Sequence, residues 1–399
     1  MIDIKIKSRC CGCSACSNIC PNNCITMQAD EEGFLYPNAN ENMCVGCKLC
    51  EKSCPNINVQ KDYICEQTGY VVQNRDQNIL KESTSGGAFT PIAEYVIRKG
   101  GIVYGAAFNE NCWTVAHVGV DNISSLVRFR GSKYVQSEMG YTYQKTKKQL
   151  DAGRWVCFSG TPCQIQALLM FLKKPYEKLI TVDVECRAVP SPLVLKKYLK
   201  VQEKEIGFNN ISNVRFRDKT YGYSYSTMSI YIKNGAKDYH RGIESDLFLR
   251  MFFSGICDRP SCGSCQFRST YHKSDFTIWD CFAVDRFAPQ LNNNRGASRI
   301  TCNSEKAVKI FGAIREKFYL KEVEVSRLRG VNEKAYQEKL VDRDKFFHDL
   351  NSRPASEVFD KYFPETIKVK FLKNARFLAY KTGAYKVMKK VWDTIKNRW

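Results

Sequence analysis

One cysteine pattern constrains this chain more than any other feature, because it occurs twice. Cys10, Cys13, Cys16, Cys20 and Pro21 form a C-x2-C-x2-C-x3-C-P run, and Cys44, Cys47, Cys50, Cys54 and Pro55 repeat it 34 residues later. Small residues between the thiols (Gly12, Ser14, Ala15, Gly46) let the backbone wrap close to whatever the thiols hold. The start of the chain has no apolar stretch of the secretory type, and no run of 18 apolar residues occurs, so the sequence reads as cytoplasmic. In a reducing compartment, 20 cysteines argue for metal or redox cofactors rather than disulfides. Only four histidines accompany them, which weakens a His-rich zinc site or His-based catalysis.

The doubled spacing resembles the two-cluster bacterial ferredoxin pattern, in which the fourth cysteine of each run ligates the other cluster. The resemblance implies one 4Fe-4S cluster on Cys10, Cys13, Cys16 and Cys54. It implies a second on Cys44, Cys47, Cys50 and Cys20. Cys11 and Cys24 are then spare. A zinc site would use two C-x2-C pairs, leaving the third step and both Cys-Pro pairs unexplained. Such a module, over 1–60, carries electrons one at a time and does no substrate chemistry.

Past residue 65 the texture changes. TGYVVQN, GIVYGAAF, WTVAHVGV, RWVCFSG and KLITVDVEC read as strands. SGGAFTPIAEYVIRKGG, YTYQKTKKQLDAG, TPCQIQALLMFLKK and PSPLVLKKYLKVQEK read as helices, the first opened by a Gly-rich loop. This alternation predicts an α/β domain with a largely parallel core sheet. NVRFRD and STMSIYIKNG predict an antiparallel excursion, and FFHDLNSRPASEVFDKYFP a helix, a turn and a second helix. The expected fold class is α+β / α/β: a two-cluster ferredoxin-like module over 1–60, an α/β domain over 66–330, and a helical basic region over 331–399.

Three turns are candidates for a phosphate or flavin. Ser85, Gly86 and Gly87 precede a helix, where free N–H groups favour phosphate. Ser132, Lys133, Tyr134 and Gln136 combine hydroxyls, a cation and an aromatic ring. Gly160, Thr161 and Pro162 form a strand-to-helix turn that delivers Cys163 to a helix N-terminus, where the dipole lowers a thiol pKa. No GxGxxG fingerprint and no P-loop occur, so neither a Rossmann NAD site nor an NTP site is supported. A second cysteine set is scattered: Cys163, Cys186, Cys262 and Cys265. Strand C-termini of a parallel sheet line one crevice, where Cys163 and Cys186 could meet. With the C-x2-C pair they would make either a third 4Fe-4S cluster or a zinc site. The alternative is that Cys163 and Cys186 are buried small hydrophobes, like Cys112 and Cys157.

STSGGAFT, RGSKYVQSEMGYTY, VCFSGTPCQIQAL, PSPLVLKKYL, NVRFRD and RPSCGSCQFRSTYHKSDFTIWD together resemble the beta-subunit family of coenzyme F-420 hydrogenase/dehydrogenase, in the members that carry an N-terminal two-cluster ferredoxin domain. The likeness runs from about Cys10 to about Ala307. It implies FAD and electron flow between that flavin, iron–sulfur clusters and a two-electron carrier. It also implies a metal role for Cys163, Cys186, Cys262 and Cys265. The chain departs from the family at two places. Cys186-Arg187-Ala188-Val189-Pro190-Ser191-Pro192 stands where relatives read Cys-His-Gly-Val-Pro-Ser-Pro, and Asp280-Cys281-Phe282-Ala283 where they read roughly Asp-Phe-Trp-Gly. Arg187 cannot shuttle protons near neutral pH. It can instead pair with an anionic flavin or substrate.

Two functions follow. One is a complete iron–sulfur flavoprotein oxidoreductase acting on a small-molecule substrate, either the deazaflavin coenzyme or a metabolite being reduced. The other is a non-catalytic electron-transfer subunit of a larger complex. Both require a redox partner protein or a small electron carrier. Nucleic acid is not an expected partner, since no recognition module appears. The charge is uneven: residues 1–60 carry five Lys/Arg against six Asp/Glu, whereas 366–399 carry ten against one, a net +9. In that tail Leu378, Tyr385, Met388, Trp392, Ile395 and Trp399 follow helical spacing. Either this stripe packs on the domain, or 366–399 makes a peripheral membrane or partner contact.

Overall fold

A computed structural model describes residues 2–58, 66–110, 112–207, 210–233, 238–268, 272–329 and 343–385, together with Val387. The ferredoxin-like module contains α1 (Ala15–Ile19), the antiparallel pair β1 (Ile25–Ala29) and β2 (Leu35–Ala39), and α2 (Leu49–Lys52). Its cysteines form its core: Cys16, Cys20, Cys24, Cys50 and Cys54 are buried together with Ile2 and Ile25. So small an apolar interior holds few aliphatic side chains, which suits a module whose stability comes from what its thiols bind.

The main body begins with β3 (Thr68–Asn74), α3 (Gln77–Glu82), α4 (Phe89–Arg98), β4 (Ile102–Phe108) and β5 (Val115–Val120). It continues through α5 (Thr142–Asp151), β6 (Val156–Gly160), α6 (Pro162–Leu172), β7 (Leu179–Val184) and α7 (Pro192–Ile206). The antiparallel sheet β8 (Ile211–Asp218), β9 (Thr227–Ile232) and β10 (Tyr239–Gly242) precedes α8 (Leu247–Ser254). β11 (Phe276–Asp280), α9 (Val284–Phe287), β12 (Ser298–Cys302), α10 (Glu305–Ile314), β13 (Phe318–Glu322) and α11 (Val325–Arg329) complete the main sheet. The C-terminal region contributes α12 (Arg343–Ser352), α13 (Ala355–Tyr362) and α14 (Ile367–Lys381).

The strand order of the large sheet is β13-β3-β12-β11-β7-β6-β4-β5. β4, β6, β7 and β11 pair in parallel, and the remaining pairings are antiparallel. The expected parallel sheet is therefore a parallel centre with antiparallel margins. Its central strands are buried on both faces, as a covered sheet requires. α4 and α10 pack on one face over Val103, Cys157, Ile180, Val182 and Phe276. α5 and α6 cover the other over Tyr104, Phe158 and Leu179. Removing a fully buried ring such as Phe158 would cost about 3–5 kcal/mol. A second core joins α7, α8 and the small sheet, and α12 and α13 add Phe346, Phe347, Leu350, Val358 and Phe359 to it. α12 and α13 thus share the core of the body rather than forming one of their own.

The ferredoxin-like module is bolted to this body through Arg259, which is 1% exposed. Its guanidinium donates to the Cys10 carbonyl at 2.7 Å, the Leu35 carbonyl at 3.0 Å and Gln136 Oε1 at 2.9 Å, and lies over the Tyr36 ring. Gly12 faces the same group. A Cβ there would stand 2.7 Å from Arg259 Nη1, and its φ of +69° suits glycine. Arg343 closes the far side with two 2.7 Å bonds to Glu32.

Candidate functional site

The parallel strands end at Phe108, Gly160, Val184 and Asp280 on one edge, the edge where open α/β sheets place ligands. α6 starts there. Thr161 and Gln164 form a reciprocal capping box and Pro162 occupies the first helical turn, so Cys163 is held at the helix mouth. β7 delivers Cys186, and a short helical turn at Pro260–Cys262 delivers Cys262 and Cys265. All four thiols line one cavity of about 780 Å³, whose other wall is the ferredoxin-like module, including Cys11 and Asn56.

Two smaller cavities lie inside the module. One is lined by Cys10, Cys13, Cys16 and Cys54 together with Cys11, the other by Cys20, Cys44, Cys47 and Cys50 together with Cys24. The fourth cysteine of each run therefore sits with the other run's triplet. Cys11 and Cys24, spare by spacing, lie beside these sets. Cys24 Sγ is 3.2 Å from Cys20 Sγ, and Cys11 lies against both Cys13 and Cys163.

Burial and mutual proximity hold these thiols in their protonated form. Burial, then the nearby Cys10 and Cys54 thiols, push Cys16 up, and burial pushes Cys54 up. In the large cavity, burial followed by neighbouring thiols raises Cys186, and Cys262 is pushed up to about 12. Cys163 also departs from the sequence expectation. Contact with Cys11, then burial, raises its pKa, so packing overrides the helix dipole. Gathered buried thiols that cannot shed their protons alone do so when a polycation binds. Among the described residues no three His, Cys, Asp or Glu side chains converge tightly enough for a single metal ion.

The flavin candidates divide between two places. Gly160, Thr161 and Pro162 belong to the strand–helix turn at the thiol cavity, which Thr161 and Pro162 line. Ser132 and Lys133 line a separate cavity of about 260 Å³ with Arg128, Arg130, Arg217 and Lys219. Lys219 donates to the Ser85 carbonyl at 2.6 Å. Burial, followed by Arg215, lowers Lys133 to about 7; burial also lowers Lys219 to about 7. Arg217 is buried, pairs with Asp280 at 3.0 Å, and has no hydrogen-bond partner for Nη2. Tyr134 stacks on Phe252 at the edge of this region.

Three candidates have structural tasks. Gly86 donates its N–H to Ser298 Oγ at 2.8 Å, and a Cβ on it would meet the Val72 carbonyl oxygen at 2.3 Å. Gly87 packs against Asn74, whose side chain donates to its carbonyl. Gln136 is occupied by Gly12 and Arg259 at the module seam.

Sequence reasoning missed one pair. His272 lines the thiol cavity, is 4% exposed, and holds Asp183 Oδ2 from Nδ1 at 2.8 Å. Its Nε2 has no hydrogen-bond partner. Burial is the largest single influence on its pKa and acts downward, but the charge and hydrogen bond of Asp183 together outweigh it, and the net shift is upward. The scarcity of histidine pointed away from it, and 89 residues separate the two partners.

Residues 9–57 match the family described as 4Fe-4S dicluster domain. Residues 153–327 match the family described as the C terminus of the coenzyme F420 hydrogenase/dehydrogenase beta subunit. The segment 153–327 belongs to that beta-subunit family. The F420 beta-subunit region thus contains all four thiols of the large cavity, and the dicluster domain both cysteine runs. No curated protein matches the chain. Among solved structures, a chain of the F420-reducing [NiFe] hydrogenase complex from Methanosarcina barkeri is similar, with 16% identity and a TM-score of 0.46. The match covers 74% of this chain and 92% of that one. No helix among the described residues is long and apolar enough to cross a membrane.

Proposed function

We propose that this chain is an iron–sulfur flavoprotein oxidoreductase that passes electrons between a redox partner, two ferredoxin-type clusters and a two-electron reaction at the thiol cavity. The observation that carries the reading is the meeting of the two thiol systems. Cys11, beside Cys13, also touches Cys163, so the pocket of Cys10, Cys13, Cys16 and Cys54 abuts the cavity of Cys163, Cys186, Cys262 and Cys265. Four thiolates on Cys163, Cys186, Cys262 and Cys265 would suit either a third 4Fe-4S cluster or a zinc ion, and metal content tells the two apart.

FAD, when bound, would supply the step between one-electron and two-electron transfer. Lys133, Lys219 and Arg217 are the groups suited to hold its phosphates, and Ser132 adds a hydroxyl. In the thiol cavity Arg187 and Arg268 supply positive charge for an anionic substrate. His272 Nε2, oriented by the Nδ1 contact with Asp183, is the group able to give or take a proton there. The substrate is a small molecule: the deazaflavin coenzyme or a metabolite.

A second reading, a relay subunit without a reactive flavin, draws on the commitments of Gly86 and Gln136 to internal bonds. Cofactor content separates the two. The protein is purified anaerobically, iron, sulfide, zinc and flavin are counted per chain, and spectra are recorded before and after dithionite. About twelve irons with one FAD supports the proposal. About eight irons with one zinc makes the cavity site structural. Clusters with no flavin, even after incubation with FAD, overturn the enzyme reading.

A further inference from the structure

α14 carries an apolar stripe that faces away from the body as well as a face that packs on it. Ile367, Phe371 and Leu378 recur at four- and seven-residue steps and are 88%, 69% and 62% exposed. The opposite side is the docked one. Ala379 is buried, Arg376 pairs with Glu244 at 2.7 Å, and Tyr380 packs against Tyr221 and Tyr225. The helix is thus docked through Arg376, Ala379 and Tyr380, with Val369 and Leu372 half-buried on the same side, while Ile367, Phe371 and Leu378 face out.

Every charged residue at the fringe of the stripe is a cation, with Asn374 and Ala375 as its neutral members. At 100° per residue, Lys370 and Lys381 flank it on one side and Lys368 on the other. α14 contains no acidic residue, and residues 366–399 carry a net charge of +9. We infer that this outward face of α14 is a docking surface for an anionic lipid bilayer, with Ile367, Phe371 and Leu378 entering the headgroup–acyl boundary while the flanking lysines meet lipid phosphates. A basic amphipathic helix in the interface plane has this arrangement of large apolar side chains between cations. Nucleic acid would not take an aliphatic stripe at the centre of the contact, and an acidic protein groove would leave the cations on both flanks to be matched one by one. The bilayer offers both an apolar layer and a continuous anionic surface. No helix needs to span it.

The test uses the full-length holoprotein with sedimentable vesicles. One set is phosphatidylcholine alone, and the other contains about one third phosphatidylglycerol. Binding is expected to the anionic set, weakened by 0.5 M salt because surface charge attraction is screened. Phe371→Glu and Leu378→Glu each lower the partition coefficient about tenfold or more, since each removes a buried apolar group and adds a repelled charge. Both side chains are largely exposed, so iron content and melting temperature should match wild type. Absence of binding to anionic vesicles overturns the inference, as does binding that both variants leave unchanged. Vesicle indifference with a concentration-dependent dimer abolished by Phe371→Glu would assign the stripe to a second copy. Vesicle indifference with a lowered melting temperature would assign it to the chain's own C-terminal residues.

Discussion

Arg259→Met should loosen the ferredoxin-like module without unfolding the body. The thioether preserves much of the stem that lies over Tyr36, so the loss is polar. Three bonds of 2.7–3.0 Å disappear, two of them to backbone carbonyls at Cys10 and Leu35 that stay behind in a buried seam. Bonds from a charged donor contribute about 1.5–3 kcal/mol each, a gross sum of roughly 4.5–9 kcal/mol. Water entering the opened seam recovers part of this. Breaking a buried charged contact commonly costs about 3–5 kcal/mol, and the lower end is the working figure. At about 1.4 kcal/mol per decade, 3 kcal/mol raises the population of the undocked module by more than 100-fold.

Native-state hydrogen exchange reads that population directly. Peptides from β1 and β2, and from the loop around Cys10–Cys16, should exchange at least about 100-fold faster in the variant, up to the ceiling set by the module's own unfolding. Peptides from β11 and β12 should not change. The Arg343–Glu32 pair keeps the module attached, so iron content should stay close to wild type. Gly12→Ala should act in the same direction, since its Cβ would press on Arg259 and Gln136. Exchange in β1 and β2 altered less than threefold by Arg259→Met would refute the claim that this side chain fastens the module.

Cys54→Ser should remove about four irons from the cluster of Cys10, Cys13 and Cys16, whereas Cys20→Ser should retain much of the other cluster because Cys24 stands 3.2 Å away. Only Cys20→Ser with Cys24→Ser should lose about four irons by elemental analysis. Binding of ADP or FAD should weaken as pH rises above about 7. Lys133 and Lys219 are held near 7 in the free protein, an anion raises both, and the complex therefore takes up protons that become scarce at high pH. Each lysine can lower the association constant by up to about tenfold per pH unit in that window, and calorimetry at pH 6, 7.5 and 9 tests it. Gly86→Ala should destabilise the body by more than about 2 kcal/mol, read as a fall in melting temperature, because its Cβ would lie 2.3 Å from the Val72 carbonyl oxygen and 2.4 Å from the Ser298 amide.

The elements legible in the sequence were those with a strong local signal. β3, β6, β7, α6 and α7 follow from apolar runs bounded by turn residues, and the α12–α13 pair follows from helical spacing broken at Pro354. Sheet order was not legible, because no local pattern states that β3 pairs with β12 and β13 rather than with β4. The same limit applied at the site. Spacing grouped the two cysteine runs, and the crossing of Cys20 and Cys54 came with the ferredoxin likeness. Arg259, the His272–Asp183 pair and the contact of Cys11 with Cys163 depend on residues far apart in sequence, with no spacing rule to announce them. The direction of α14 was also hidden. A helical stripe looks the same in sequence whether it faces a core or the solvent, and only Ala379, Tyr380 and Arg376 on the inner side decide it.

The three thiol systems lie in a spatial order that bears on how electrons move. The set of Cys20, Cys44, Cys47 and Cys50 is the outer one: Cys47 is exposed, and Met43 and Val45 beside it are 48% and 67% exposed. The set of Cys10, Cys13, Cys16 and Cys54 is deeper and meets the large cavity through Cys11. A carrier that docks at the outer set and a substrate that enters the large cavity would therefore never compete for the same surface. Arg259, which lines the large cavity, also bonds the Cys10 carbonyl and so fastens the inner set to the body. Under the proposed function, in which the thiol cavity holds a redox centre, a variant that loosens the seam while keeping every iron should slow reduction of that centre by an external donor more than it slows reduction of the two module clusters. A single perturbation that separates those two rates would place the bottleneck at the module–body junction rather than at either end.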